Sequence, residues 1–155
     1  MQIWKNTERS RRPLLYVSLT ITAIIMLNIF SRIENWKRDL TANQASLEVT
    51  ATDELLRPPL LSMSTAAAAD RIATWVETQG KWQMVSRKSV NDGVEIRLTR
   101  TTAILRFTDD IQIMLSSEGG STRVSAESRS RIGKGDLGQN PRNLKELVSH
   151  LIQAG

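Results

Sequence analysis

Three glycines, Gly133, Gly135 and Gly138, stand in the stretch SRSRIGKGDLGQNPRN with the spacing G-x-G-x-x-G. A run that alternates like a strand precedes them and one with helical periodicity follows. Amides exposed by glycine at the N-terminus of a helix hold anions, which is how phosphate-binding loops work. A dinucleotide site also needs a second parallel strand carrying an acidic ribose ligand about twenty residues on. The seventeen residues after Gly138 read instead as one helix, so no such unit is expected. A Walker loop fails as well, because Lys134 is followed by Gly135 and not by Ser or Thr. Two readings stay open. In one, the glycines take positive φ in a tight connection while Asp136 and Asn140 bond backbone amides. In the other, the same amides, with Arg131, Lys134 or Arg142, hold a phosphate or carboxylate group.

Asp109 and Asp110 form the other candidate site, for acid-base work or, with Asp136, for a hard cation. Neighbouring acids on a strand point to opposite faces, and Asp favours turns, so FTDDI is expected to turn. The lone His150 lies opposite much of the last helix's apolar stripe and is expected to face solvent. Arg123, Arg129 and Arg131 share a strand face with Glu127, a pattern for an ion-pair ladder or for an acidic partner. The chain has no cysteine, which excludes disulfides and thiolate zinc sites. No catalytic residue, cofactor or metal is expected, and the enzyme question leans towards no.

The net charge of +5 is unevenly placed. Residues 1–40 carry seven Lys and Arg against three Asp and Glu, and the remainder is nearly balanced. Nucleic acid is therefore not an expected partner. Residues 13–30, PLLYVSLTITAIIMLNIF, hold no charge, and their length as a helix suits one membrane crossing. The charged SRIENWKRD that follows lacks the small-residue site of a cleaved signal, so an uncleaved anchor is expected. Lys5, Arg9, Arg11 and Arg12 before it, against Arg32, Lys37 and Arg38 after it, place the N-terminus in the cytoplasm and the domain outside.

Behind the basic flank 1–12 and this anchor, residues 31–63 are expected to be a juxtamembrane spacer. Ile33, Trp36, Leu40 and Leu47 continue a helix through about residue 45, and the paired prolines of LRPPLLS enforce an extended end. The folded domain is expected over 64–155. Ser64 caps a helix buried along Ala68, Ala69, Ile72, Trp75, Val76 and Gln79. KWQMVSR and VEIRLT then read as strands around the turn signal Asn91-Asp92-Gly93. Ala103, Leu105 and Phe107 reverse the parity of Val94, Ile96 and Leu98, so a bulge or bend is expected in TRTT. Ile111, Ile113 and Leu115, and then Val124, Ala126 and Ser128, mark two further inward faces. Asn140 as N-cap and Pro141 open a last helix along Leu144, Leu147, Val148 and Leu151. The fold class is α+β: an N-terminal transmembrane helix, a helix, an antiparallel meander of about four or five strands, and a C-terminal helix on one sheet face.

FTDDIQIMLS, followed by GSTRVSAESRSRIGKGDLGQNPRNLKELVSHL, resembles the C-terminal signature of the bacterial family catalogued as domain of unknown function 1499. The resemblance implies a Phe-x-Asp-Asp turn and a Ser-x-Ser-Arg-x-Gly-x-x-Asp-Leu-Gly-x-Asn loop, as members of that family carry. The likeness covers about 64–152 and is strongest over 107–148; RPPLLSMS stands where many members have a Pro-Asn-Cys-Val-Ser segment. The resemblance implies a bacterial, often membrane-associated protein and no particular activity. The expected function is a non-catalytic binding or accessory module of the cell envelope, met by a membrane and an envelope protein partner. The alternative is an enzyme or carrier that handles an anionic small molecule or lipid headgroup at the Gly133 to Asn140 loop.

Overall fold

The computed structural model describes residues 6–31, 36–102 and 106–153, with side chains at all of these except 6–12, 29, 36 and 38. Lys5, Arg32, Ile33, Ala103 and Leu105 thus lie outside the described residues, as do the side chains of Arg9, Arg11, Arg12, Trp36 and Arg38. Two helices lead, α1 (Asn6–Phe30) and α2 (Trp36–Thr41). They are followed by β1 (Gln44–Ser46), a 3-10 turn (Glu54–Leu56), β2 (Leu60–Leu61) and α3 (Thr65–Thr78). The chain then forms β3 (Trp82–Val90), β4 (Gly93–Thr101), β5 (Thr108–Glu118), β6 (Ser121–Ser130) and α4 (Gln139–Gln153). This is an α+β fold on one antiparallel six-stranded sheet in the order β1-β6-β5-β4-β3, with β2 also on β6. Among the described residues no helix is long and apolar enough to cross a membrane.

Alternation sets the core. Val94, Ile96 and Leu98 pair with Leu115, Ile113 and Ile111, and these with Val124, Ala126 and Ser128. One sheet face is therefore apolar across three strands, and α3 and α4 cover it. The Ser64 hydroxyl accepts from the Ala67 amide, and α3 buries Ala68, Ala69, Ile72, Trp75 and Val76. From α4 come Leu144, Leu147, Val148 and Leu151, all in the same cluster. The opposite sheet face carries Glu95, Arg97, Asp110, Gln112, Arg123, Glu127 and Arg129.

The segment expected to be a spacer is built into this domain. The helix stops at Thr41, and β1 and β2 lie end to end along the free edge of β6. Ser130 N–H donates to the Asn43 carbonyl, Leu47 N–H to Ala126, and Val124 N–H to Pro59. Proline suits such an edge, since its carbonyl still accepts where its nitrogen has nothing to give. Leu47 and Leu61 enter the core, and Lys145 of α4 grips Asp53 at 2.8 Å.

Three local expectations also change. The bulge falls in β3 between Met84 and Ser86; of TRTT, the first three residues pair in β4, which ends at Thr101. Phe107 is exposed rather than inward. FTDDI does not turn: Asp109 and Asp110 sit inside β5, opposite Ser130 and Arg129.

Candidate functional site

The inward parity of β5 and β6 continues past the apolar residues to Asp109, Ser128 and Ser130, at the end of the sheet where α4 begins. The first turns of α4 bring Asn140 and Asn143 onto them, and all five side chains are buried. Ser130 Oγ donates to Asp109 Oδ1 at 2.6 Å, and Asn143 Nδ2 donates to Asp109 Oδ2 at 2.9 Å. Ser128 Oγ donates to Asn140 Oδ1 at 2.6 Å while accepting from Asn143 Nδ2 at 3.0 Å. Asn140 Nδ2 donates to the Asn43 carbonyl and to Ser130 Oγ, and Gln139 Nε2 donates to Asn143 Oδ1. The buried polar groups thus answer one another, which is the condition for burying them at all.

The glycine loop is closed in the same way. Asp136 places Oδ1 on the Gly138 amide and Oδ2 on the Asn140 amide, each at 2.8 Å. Its carbonyl takes the Gln139 amide, and Pro141 has none to offer. The anion at the start of α4 is therefore the chain's own carboxylate. Asn140 is not the N-cap, because it lies within the helix with its side chain in the buried network.

α2 stands where a ligand would approach. A Cβ on Gly135 would lie 2.4 Å from the Leu40 carbonyl carbon and oxygen. Gly138 has φ +74°, and its Cβ would lie 2.7 Å from Asp39 Oδ2. The Leu137 and Asp136 amides donate to the carbonyls of Asp39 and Ala42. Arg142 turns back to the Leu137 carbonyl at 2.9 Å, and the Gly133 carbonyl accepts from Asn43. Lys134 remains exposed.

Asp110 points to the other face of the sheet. Arg131 holds it with two bonds, Nε to Oδ2 at 2.9 Å and Nη2 to Oδ1 at 2.7 Å, and this pairing keeps the carboxyl below the usual carboxylate range. The two acids are therefore neither an acid-base pair nor a cation cradle with Asp136. Among the described residues no group of three or more His, Asp or Glu is placed to hold a metal. The pair borders an open groove of about 550 Å³ lined by Arg97, Gln112, Glu127 and Arg129. Arg123 pairs with Glu118 and Arg131 with Asp110, rather than with Glu127.

His150 is half-buried rather than turned fully to solvent. Its ring stacks on Trp75 at 5.3 Å, and Trp75 in turn lies 4.8 Å from Trp82. Trp82 Nε1 donates to Glu146 Oε1, and Arg100 reaches Glu146 Oε2 at 3.6 Å with its guanidinium over the indole. Burial, and then the nearby Arg71 charge, push the His150 pKa down. The unfolded chain then binds the extra proton first, so stability falls as pH drops below about 6.5. The lowered carboxyls of Asp53 and Asp110 act only in a more acidic window, below their ordinary value of 3.8. The urea midpoint should thus decrease between pH 7.5 and 5.5, and His150→Gln should flatten that decrease. An equal fall in the variant would assign the effect to another group.

Comparison with known proteins returns one family. The model described as protein of unknown function, DUF1499, matches residues 30–151, a span that includes α2, β1 and β2 as well as the glycine loop. No curated protein and no solved structure matches the chain.

Proposed function

We propose, for a chain that belongs to the DUF1499 family, a single-pass membrane protein of the cell envelope whose α+β domain is a non-catalytic binding or accessory module. The observation that carries this reading is the closed hydrogen bonding of the signature loop. Asp136 occupies the amides that an anion would use, and Ser128, Ser130, Asn140 and Asn143 are spent on one another and on Asp109. The family's most specific motif thus builds the joint between β6 and α4. Partners are left the sheet's uncovered face, with its groove beside Arg97 and Arg129.

Support for the anchor comes from the sequence of residues 13–30, since no described helix by itself is long and apolar enough to cross a membrane. The uncharged run 13–30 spans about 27 Å at roughly 1.5 Å per residue, close to the hydrocarbon thickness of a bilayer. Leu14, Leu15, Leu19, Ile24 and Leu27 are exposed around the helix, an arrangement suited to lipid. Its three hydroxyl interruptions are satisfied internally: Ser18, Thr20 and Thr22 donate to the carbonyls of Leu15, Tyr16 and Ser18. That is what a hydrocarbon surround requires. The excess of basic residues before the run favours a cytoplasmic N-terminus.

Two measurements test the proposal. The full chain should stay in the membrane pellet through carbonate extraction, and Ile21→Arg with Ile24→Arg should release it; release of the unaltered chain would remove the anchor. Phosphates, nucleotides and divalent ions should leave the thermal midpoint unmoved. A ligand at 100 times its Kd stabilises by about 2.7 kcal/mol, so a midpoint rise abolished by Lys134→Ala would restore the anion-handling alternative.

A further inference from the structure

One end of the domain differs from the other. Thr102, Arg106, Phe107, the connection 131–138 and α2 all lie at the end of the sheet where β4 finishes and β5 begins. There Leu40, Phe107 and Ile132 are exposed by 48 %, 41 % and 64 %. Exposed Lys37, Arg106 and Lys134 stand in the same segments. Phe107 is fixed in this position, its amide donating to Thr102 Oγ1 at 2.9 Å and its carbonyl accepting from the Thr102 amide at 2.8 Å. Apolar side chains among cations are the composition of a surface that enters the headgroup region of an anionic bilayer. The opposite end presents the β3–β4 turn with exposed Asp92, and Glu118 paired with Arg123.

The tether selects the same end. α1 ends at Phe30 and α2 begins at Trp36, so the intervening chain spans at most roughly 20 Å even when fully extended. α2 is seated on the glycine loop through Asp39, Leu40 and Gly135. Resting on the anchor reading above, we infer that this end docks on the bilayer, with Leu40, Phe107 and Ile132 entering the interface and Lys37, Arg106 and Lys134 meeting anionic headgroups. The domain then lies against the membrane by a built surface, and the β3–β4 turn at Asp92 points away from it.

The absence of cysteine makes the test clean, since each introduced cysteine is the sole labelling site of the full chain. Ile132→Cys, Asp92→Cys and Ile24→Cys would each carry an environment-sensitive fluorophore in vesicles of phosphatidylcholine and phosphatidylglycerol containing spin-labelled lipid. Labels at 24 and 132 should lose most of their emission, and the label at 92 should keep it. Arg106→Glu with Lys134→Glu should restore emission at 132 while leaving 24 quenched. Quenching at 24 alone would keep the anchor and overturn the docking; no quenching at either would overturn both. Quenching at 132 that survives charge reversal would overturn the assignment to anionic headgroups.

Discussion

Asp109→Ala is expected to destabilise the domain by about 3 kcal/mol, while its neighbour's change, Asp110→Asn, costs at most about 1 kcal/mol. The two carboxylates are adjacent in sequence and opposite in environment. Asp109 is buried and accepts from Ser130 and Asn143, so its removal strands two donors where water does not reach. Each stranded donor costs roughly 1–3 kcal/mol. Asp110 is half exposed with its Arg131 partner, and screening discounts that pair. Urea denaturation of both variants in detergent reads the difference directly. Equal losses would mean that the network around Asp109 does not hold the sheet to α4.

Gly135→Ala is expected to cost about 2–3 kcal/mol, in the range for overpacking a fitted site. The added methyl would meet the backbone of Leu40 at 2.4 Å and the Asp39 carbonyl oxygen at 2.8 Å, and backbone cannot rotate aside. Gly138→Ala should lose about as much, from a φ of +74° that L-residues seldom adopt and from contact with the buried Asp39. Gly80→Ala, with nothing within 4 Å, should stay within about 0.5 kcal/mol of the parent. If Gly135→Ala were as silent as Gly80→Ala, the glycine would not be explained by the approach of α2, and a ligand would regain its place in the loop.

The long elements were legible in the sequence because their periods are clean. Ala68 to Val76, Val94 to Leu98, Ile111 to Leu115 and Leu144 to Leu151 each repeat long enough to show which side is buried, and all of them are in the core. β1 and β2 are three and two residues long, too short for any period to register, and their pairing is set by β6. The turn expected at Asp109 followed a local preference that tertiary contacts override. A signal was nevertheless present. Asp109 shares parity with Ile111 and Ile113, as Ser128 and Ser130 do with Val124 and Ala126, so an inward polar patch could be read by carrying the alternation through. What sequence could not supply was the arrival of α2 on Gly135, a contact between positions 95 apart.

The seating of α2 on the glycine loop also decides how mechanical load enters the domain. On the anchor proposed above, a pull on the domain would be balanced at the membrane, and the chain from α1 enters the domain through α2. Load therefore arrives first at Asp39 and Leu40, braced against Gly135 and Gly138, and passes to α4 through Leu137 and Arg142. In parallel it reaches β6 along β1, whose axis runs with the strand it grips, so its few bonds are sheared together rather than unzipped. Two load paths converge on the Asn140 side chain, which holds Asn43 of the tether side and Ser130 of the sheet. The loop is in this sense an abutment.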